Sequence, residues 1–456
     1  MLVKSIFPAA MAFWRRLRDD RRGNVLMILG FSIVPLTLAT GMAVDYARAA
    51  RLQTKLNAAA DAAALLAVSK QMMLQTNQTA HDAAVAFFNS QTTNQPGLIY
   101  TSTGTNPNVV ITGGVGASNT RTAVVTYTAS SQNAFSGVLG MSSVGIGGTS
   151  TATSSQAPNI DFYVMLDTSP SMLLPATTAA LTTMTTKTGG CAFACHQTNT
   201  TSSDPGGTAK DSSGHYIDYY QVARNNSLVL RTDLVTEAVQ NLTDVATTTA
   251  ASNGAHYRMG LYQFDYRYQK VWPTTTATVD ASLSTVKTHV TDAQILTYCI
   301  NNQRVCGTGD NDTGTNFTAA FTGALGSMPT APGQGTNVAG DTPMALLFIV
   351  TDGMRDELSG GSRFMGPIPT SQCDTIKARG IRIAVLHTEY LPESASDSWS
   401  ISNVKTPYLS PTDNISPALI SCASPGLYYQ VTTDSDISAA LAALFQKAVA
   451  TAHLIQ

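Results

Sequence analysis

The sequence predicts an α/β protein: a doubly wound, mostly parallel sheet preceded by one transmembrane helix, a long helix and a small β-rich segment. Three observations carry this prediction. An uncharged apolar run occupies residues 24–44. An alanine-rich stretch without Gly or Pro follows at 45–71, and then a stretch rich in Gly, Ser, Thr and Val. From Ile160 onward, apolar strand-like runs alternate with helical ones, the pattern of parallel strands covered by helices on both faces.

Composition narrows the function classes. Of 456 residues, 12% are charged and 43% are hydrophobic, whereas soluble domains average about 25% charged. Uncharged polar residues fill the difference. Ordinary apolar content with little net charge excludes charge-rich disorder. A single long apolar run excludes a polytopic membrane protein. Lys+Arg at 27 against Asp+Glu at 29 gives a net charge of −2, so no basic domain for nucleic acid is present. The charge is unevenly placed. Residues 1–23 hold Lys4, Arg15, Arg16, Arg18, Arg21 and Arg22 against Asp19 and Asp20, which leaves 21 basic and 27 acidic residues for the remaining 433.

The elements follow in order. Residues 1–23 form a basic segment. Residues 24–44 are long enough to cross about 30 Å of hydrocarbon as a helix, and Pro35 and Gly41 are tolerated in such helices. Basic residues before the span place the N-terminus in the cytoplasm and the bulk of the chain in the periplasm. The run exceeds the roughly 7–15 apolar residues of a cleaved signal, so an uncut anchor in the inner membrane is expected. Residues 45–90 read as one extended helix with Leu52, Leu56, Ala59, Ala60 and Ala63 on one face, packing locally. Residues 91–158 read as a small β-rich module and linker, with strands at 109–114 and 121–129 and the linker proper at 149–159. Arg121 is the single charge within 83–160. A helix followed by a small sheet has a pilin-like outline. Residues 159–456 form the parallel-sheet domain, with strands at 160–167, 257–264, 344–352 and 381–387 and helices at 232–246, 315–328 and 437–452. Tyr262, Phe264, Tyr266 and Tyr268 around Asp265 read as core and hairpin. Excursions near 173–230, 293–313 and 391–426 read as a cap or recognition surface.

All six cysteines lie after the anchor, which suits disulfides in an oxidising compartment. Spacing favours the short loops Cys299–Cys306 and Cys191–Cys195, leaving Cys373–Cys422, one of fifteen possible connectivities.

Three turns converge on the carboxyl edge of the predicted sheet, where ligands of open α/β sheets bind. One strand ends in Asp167-Thr168-Ser169-Pro170-Ser171, a later one in Thr351-Asp352-Gly353, and Gly314-Thr315-Asn316 opens a helix between them. Asp167, Ser169, Ser171, Thr315 and Asp352 would form an all-oxygen shell for Mg²⁺ foremost, or for Mn²⁺ or Ca²⁺, and one unsuited to zinc. This constellation resembles the metal-ion-dependent adhesion site of von Willebrand factor A domains, with Pro170 where many members have glycine. The resemblance implies that the two serines bind the cation directly. Thr315 and the aspartates bind it directly or through water, and one position is left for an acidic side chain of a partner.

The N-terminus carries a second resemblance. RRGN before the span, a central proline, AVDYAR at its exit and the AADAAALL run after it are similar to TadE/TadG-like proteins of the tight-adherence (Flp) pilus system. A C-terminal von Willebrand A domain and the CAFACH segment at 191–196 point to the TadG branch of that family. This resemblance implies a membrane-anchored component of pilus assembly and adherence, with pilus or envelope proteins, other TadE/TadG-like proteins and the inner membrane as partners. Gly23 is followed five residues later by Ile28 rather than glutamate, which argues against prepilin-type cleavage.

Enzymatic readings are weaker. CAFACH has three residues between its cysteines where c-type haem attachment has two, so His196 is read as incidental to a disulfide. No P-loop, G-x-S-x-G or HExxH motif is present. His387 reads as a structural histidine, and Asp356 and Glu357 as solvated loop charges. The chain is therefore expected not to be an enzyme. The alternative readings are a structural scaffold acting through its N-terminal helix and a haem- or metal-dependent enzyme.

Overall fold

The computed structural model describes residues 22–114, 119–197, 209–299, 312–432 and 436–452. The basic stretch before Arg22, and Cys306 with its expected pairing, lie outside them. The chain divides into two compact units, Met1–Ser155 and Gln156–Gln456.

The first unit is built on one helix, Arg22–Ala67, with Pro35 inside it. One helix within Met27–Ala67 is long and apolar enough to cross a membrane. Its first half exposes Met27, Ile28, Leu29, Phe31, Val34 and Leu36. Its second half buries Leu52, Leu56, Ala59, Ala60 and Ala63, the face expected from sequence. The helix does not continue to residue 90. Ser69 and Thr76 have extended backbones, and their hydroxyls accept from the amides of Met72 and Thr79. Side-chain caps of this kind favour starting a new helix over continuing an old one. The chain therefore turns and folds back as a second helix, Asn77–Thr92.

Both helices pack on an antiparallel sheet made of β1 (Leu98–Ile99), β2 (Asn108–Gly113), β3 (Thr120–Gln132) and β4 (Ser143–Ser155). β3 is central. It pairs with β2 from Asn108↔Thr126 to Gly113↔Arg121, with β1 at Leu98↔Ser131, and with β4 along its whole length from Thr120↔Ser155 to Gln132↔Ser143. Residues 149–155, expected as linker, are thus strand. Their Ser/Thr-rich composition fits a strand with one solvated face, which composition alone does not separate from a linker. Phe88 and Tyr127 meet at 5.3 Å between ring centroids in the core shared by helices and sheet. Arg121 is fully buried, yet its guanidinium donates to the carbonyls of Met72 and Gln75 at the helix turn.

The second unit is a doubly wound α/β domain. The six strands of its main sheet are β5 (Ile160–Asp167), β6 (Tyr257–Phe264), β7 (Tyr268–Trp272), β8 (Met344–Thr351), β9 (Arg382–Thr388) and β10 (Tyr428–Val431). They lie in the order β10-β9-β8-β5-β6-β7. All neighbours are parallel except the β6–β7 hairpin. The interior strands are nearly continuous apolar runs because both faces are covered. The helices Arg231–Asn253 and Ile437–Ala452 pack against one face, with Phe162 touching Tyr257, Phe348 and Phe445. The helices Phe317–Ser327, Thr370–Ala378 and Ile415–Cys422 pack against the other. The Cys373–Cys422 disulfide joins the last two, as the sequence suggested.

Cys191 and Cys195 depart from expectation: both are free thiols. The Cys191 sulfur donates to the Phe193 carbonyl, and the two thiols are hydrogen-bonded to one another rather than joined. Cys195 donating to it holds Cys191 down at about 7 despite its burial.

Phe162 fills the centre of the larger core, so Phe162→Ala should cost about 3–5 kcal/mol. The checking measurement is chemical denaturation of detergent-solubilised protein, followed by a probe in the Gln156–Gln456 unit. A loss below 1 kcal/mol would mean that the site collapses around the cavity.

Candidate functional site

β5 and β8 are neighbours and parallel, with Val350 opposite Leu166. Their carboxyl ends are therefore level: Asp167 stands at the level of Thr351, and Asp352 follows one residue further along. Both are buried, at 3% and 0% exposure. Asp167 accepts from the Ser169 amide at 2.9 Å and from the Thr351 hydroxyl at 2.5 Å. Asp352 accepts from the Met354 amide at 3.0 Å through one oxygen, while its other oxygen, Oδ2, is buried without a hydrogen-bond partner. Burial, and secondarily the neighbouring Asp352 charge, push the Asp167 carboxyl up to about 7. Burial raises Asp352 as well, against the easing influence of the Ser171 hydroxyl and the Met354 amide. Neither carboxylate forms an ion pair among the described residues. The guanidinium of buried Arg231 acts on Asp352 only at a distance.

The serines come from a tight turn. Ser169 is extended and Pro170 opens a 3₁₀ turn, Pro170–Leu173. Proline fits the first position of a helical turn because that amide has no intrahelical partner to lose. The hydroxyls of Ser169 and Ser171 lie 3.0 Å apart. Two glycines allow the other loops to approach. A Cβ on Gly314 would lie 2.8 Å from Pro170 Cδ, so this glycine brings Thr315 against the serine turn. Gly353 has φ of +77°, and a Cβ there would meet Leu419 at 2.6 Å.

The structure thus links Asp167, Ser169, Ser171 and Asp352 through strand register and hydrogen bonds. Thr315 joins them from the helix side, lining one cavity with Ser171. Its backbone pairs with Asp356 in both directions, at 2.9 and 3.0 Å. Sequence reasoning missed what holds it there. Asp356 and Glu357 are not solvated loop charges but belong to a hairpin, Arg355–Ser359 with Ser362–Gly366. Glu357 is buried and accepts from the Thr318 amide and hydroxyl at the start of the Phe317–Ser327 helix, while Arg355 donates to it. A carboxylate suits a helix N-terminus on both hydrogen-bonding and dipole grounds. Nothing in the sequence signalled this contact: the helix start already has Asn316 as its cap, accepting from the Ala319 amide, and Glu357 comes from a hairpin 39 residues beyond Thr318.

The cavity above Ser171 and Thr315 has a volume of about 250 Å³. All three expected excursions contribute to its wall: Cys195 from the first, Tyr298 and Asp312 from the second, and Trp399 from the third. At the rim, Arg363 donates to Asp356 and Asp312 at 2.7 Å each and lies against the Trp399 ring. His196 is held by Asp218 at 2.8 Å and stacks near Tyr220. His387 stands opposite Thr351 in the sheet, bonded to the Tyr428 hydroxyl, and burial drives it down to about 4, so it is neutral. Among the described residues no three His, Cys, Asp or Glu side chains cluster as a metal site. The candidate set is two carboxylates plus hydroxyls, a donor set for hard divalent cations.

A carboxyl whose folded-state pKa lies above its unfolded value keeps its proton longer in the folded state. Its contribution to stability is complete below the unfolded pKa and is lost as the pH rises through the folded one. In chelator, the Gln156–Gln456 unit should therefore lose stability from this pair as the pH rises from 3.8 towards about 7. Asp167→Asn should flatten that dependence, as measured by thermal unfolding across the range. An unchanged profile in the variant would remove Asp167 as its source.

Comparison with known proteins gives one family match, at the N-terminal end. Residues 23–70 match the model of the Flp pilus-assembly TadE/G-like family. No curated protein matches the chain. Similar solved structures include the BatB protein of Bacteroides thetaiotaomicron, at 12% identity over 64% of this chain and 100% of that one, with a TM-score of 0.33. The von Willebrand domain of the type V pili tip protein Mfa5 from Porphyromonas gingivalis is similar at 9% identity, over 65% and 96%, with a TM-score of 0.33. Proximal thread matrix protein 1 from the mussel byssus, with a zinc-occupied adhesion-site motif, is similar at 13% identity, over 64% and 49%, with a TM-score of 0.32. At these TM-scores none of the three assigns a function. The chain carries a TadE/G-like Flp pilus-assembly segment at residues 23–70.

Proposed function

We propose that the protein is a membrane-anchored, periplasm-facing component of Flp pilus assembly and adherence, which grasps an acidic side chain of a partner protein through one divalent cation. The observation that carries this reading is the buried, unpaired carboxylate pair Asp167 and Asp352, with Asp352 Oδ2 unpartnered. Two like charges buried together are costly unless a cation lies between them. Asp167, Ser169, Ser171, Thr315 and Asp352 would hold that cation, with Mg²⁺ favoured by the small, hydroxyl-rich set. When bound, the cation supplies a positive charge that two carboxylates and neutral hydroxyls leave accessible to a further anion.

The rim explains why a partner would need the metal. Arg363 is already matched by Asp356 and Asp312, so among the described residues lining the cavity there is no spare positive charge. An acidic partner would be repelled by the metal-free site and attracted by the loaded one. The N-terminal match and the single apolar helix support the pilus and membrane parts of the reading. The reading is non-enzymatic.

In titration calorimetry the intact protein should bind Mg²⁺ or Mn²⁺, and Asp167→Ala should abolish the binding while leaving circular dichroism unchanged. The same variant should fail to support piliation. Normal pili with that variant would sink the adhesion-site mechanism. A second reading, that the N-terminal helix alone carries assembly, is favoured by the match being confined to residues 23–70. Deleting residues 156–456 separates the two: lost assembly is expected here, and retained assembly would favour the helix.

A further inference from the structure

The turn between β3 and β4, residues 133–142, contains no charged residue. It exposes Phe135 (50%), Val138 (82%), Leu139 (49%) and Met141 (49%), the densest run of exposed apolar side chains outside the helix itself. A polar turn would be the ordinary choice at the tip of a long hairpin. Two contacts fix where this turn sits. The Asp45 carboxylate accepts from the amides of Ala134, Phe135 and Ser136 at 2.8, 3.0 and 2.7 Å and from the Ser136 hydroxyl at 2.9 Å. Gly41 lies so close to Phe135 that a Cβ would stand 2.5 Å from the Phe135 Cβ. Gly41 belongs to the uncharged run 24–44, and Asp45 is the first charge after it. The turn is thus held beside the last turn of the apolar stretch, about 5 Å before its end at 1.5 Å per residue.

The turn also meets the conditions for leaving water. Its backbone closes on itself: Val138 donates to Phe135, Gly140 to Gly137 and Met141 to Ser136, while the Asn133 amide side chain donates to Met141. Segments at membrane depth must satisfy backbone groups in this way. The Asp45 charge is spread over four donors, which lowers the cost of holding it at an interface. Met42, Val44 and Tyr46 are exposed on the helix at the same level, and a tyrosine there suits a membrane–water boundary.

From this geometry we infer that the turn at 135–141 is a second membrane contact, inserting Phe135, Val138, Leu139 and Met141 into the acyl–headgroup boundary beside the helix exit. The inference rests on the membrane reading of the Arg22–Ala67 helix. Its consequence is mechanical: a single helix can tilt and rotate in a bilayer, whereas a helix with a rigid apolar turn pinned to its exit has its depth and rotation fixed.

The test uses the full chain reconstituted in phosphatidylcholine/phosphatidylglycerol vesicles, with and without bromine on the acyl chains, and subtracts the emission of the protein's own three tryptophans. Val138→Trp should add blue-shifted emission that brominated lipid quenches roughly twofold or more, as for an interfacial aromatic. Val110→Trp, at an exposed position paired with Val124 eight residues back along β3, lies about 27 Å from the turn at 3.4 Å per residue and should stay unquenched. Phe31→Trp, on the exposed apolar half of the helix, reports the span itself. Quenching at 31 but red-shifted, unquenched emission at 138 would overturn the inference alone. Blue-shifted yet unquenched emission at 138 would place protein on the patch and overturn it too. Loss of quenching at both 31 and 138 would overturn the membrane reading with it.

Discussion

The constraint on which the second unit turns is the burial of two carboxylates at the ends of neighbouring parallel strands. Parallel pairing sets the ends of β5 and β8 level, which brings Asp167 and Asp352 close enough for the charge of one to act on the other. The surrounding donors are hydroxyls and amides, namely Thr351, Ser169 and Met354. Such groups ease a charge without cancelling it. A fold that only needed stability would place neutral residues at both positions. Keeping two ionisable groups there, with one oxygen unpartnered, stores an electrostatic demand that a hard cation would meet. The neighbouring elements hold this arrangement still. Glu357 fixes the hairpin to the start of the Phe317–Ser327 helix, and the hairpin in turn fixes Thr315.

The first unit gives its two buried charges hydrogen-bond partners, although Arg121 Nε finds none. Arg121 is buried but donates to two carbonyls at the helix turn, Met72 and Gln75. Asp45 is buried but accepts four hydrogen bonds from one turn. Each charge ties a helix segment to the sheet, where an apolar contact would permit sliding. The near absence of charge over 83–160 is therefore not a lack of specificity. The single charge there is a structural pin, and the rest of the segment is free to be strand, turn or apolar tip.

How much of this was legible in sequence differs between the two units for a physical reason. Strands β5, β6, β8 and β9 and their helices were legible because buried parallel strands are continuous apolar runs and their partner helices have a clear period. The positions of Asp167, Ser169, Ser171 and Asp352 followed from strand ends alone. β10 was missed: Tyr428–Val431 is short and mixed in polarity, and pairing with β9 supplies the order that its own residues do not. The break at Ser69 was missed because alanine-rich sequence favours helix on either side, and a hydroxyl cap outweighs propensity at one residue. β4 looked like linker because its Ser, Thr and Gly face solvent along one side. The thiols of Cys191 and Cys195 show the limit of spacing arguments, since closeness in sequence fixes neither which sulfurs meet nor whether they bond.

The three excursions share one origin. In a parallel sheet every crossover leaves from the carboxyl edge, so residues can be added there without disturbing strand register or core packing. Residues 173–230 illustrate this: they bury Leu173, Met184, Val222 and Leu230 in a small core of their own, separate from the two cores that flank the sheet. The strand ends and the excursions therefore answer to different constraints. Asp167 and Asp352 are fixed by the pairing of β5 with β8, and changing them alters the charge of the site whatever surrounds it. Cys195, Tyr298 and Trp399 stand on chain that the sheet does not dictate. Arg363 is the point of contact between the two sets, since it ties the hairpin to the second excursion through Asp312 and lies against the third through Trp399. A change in rim shape can thus reach Asp356, and through its backbone Thr315, without moving a strand.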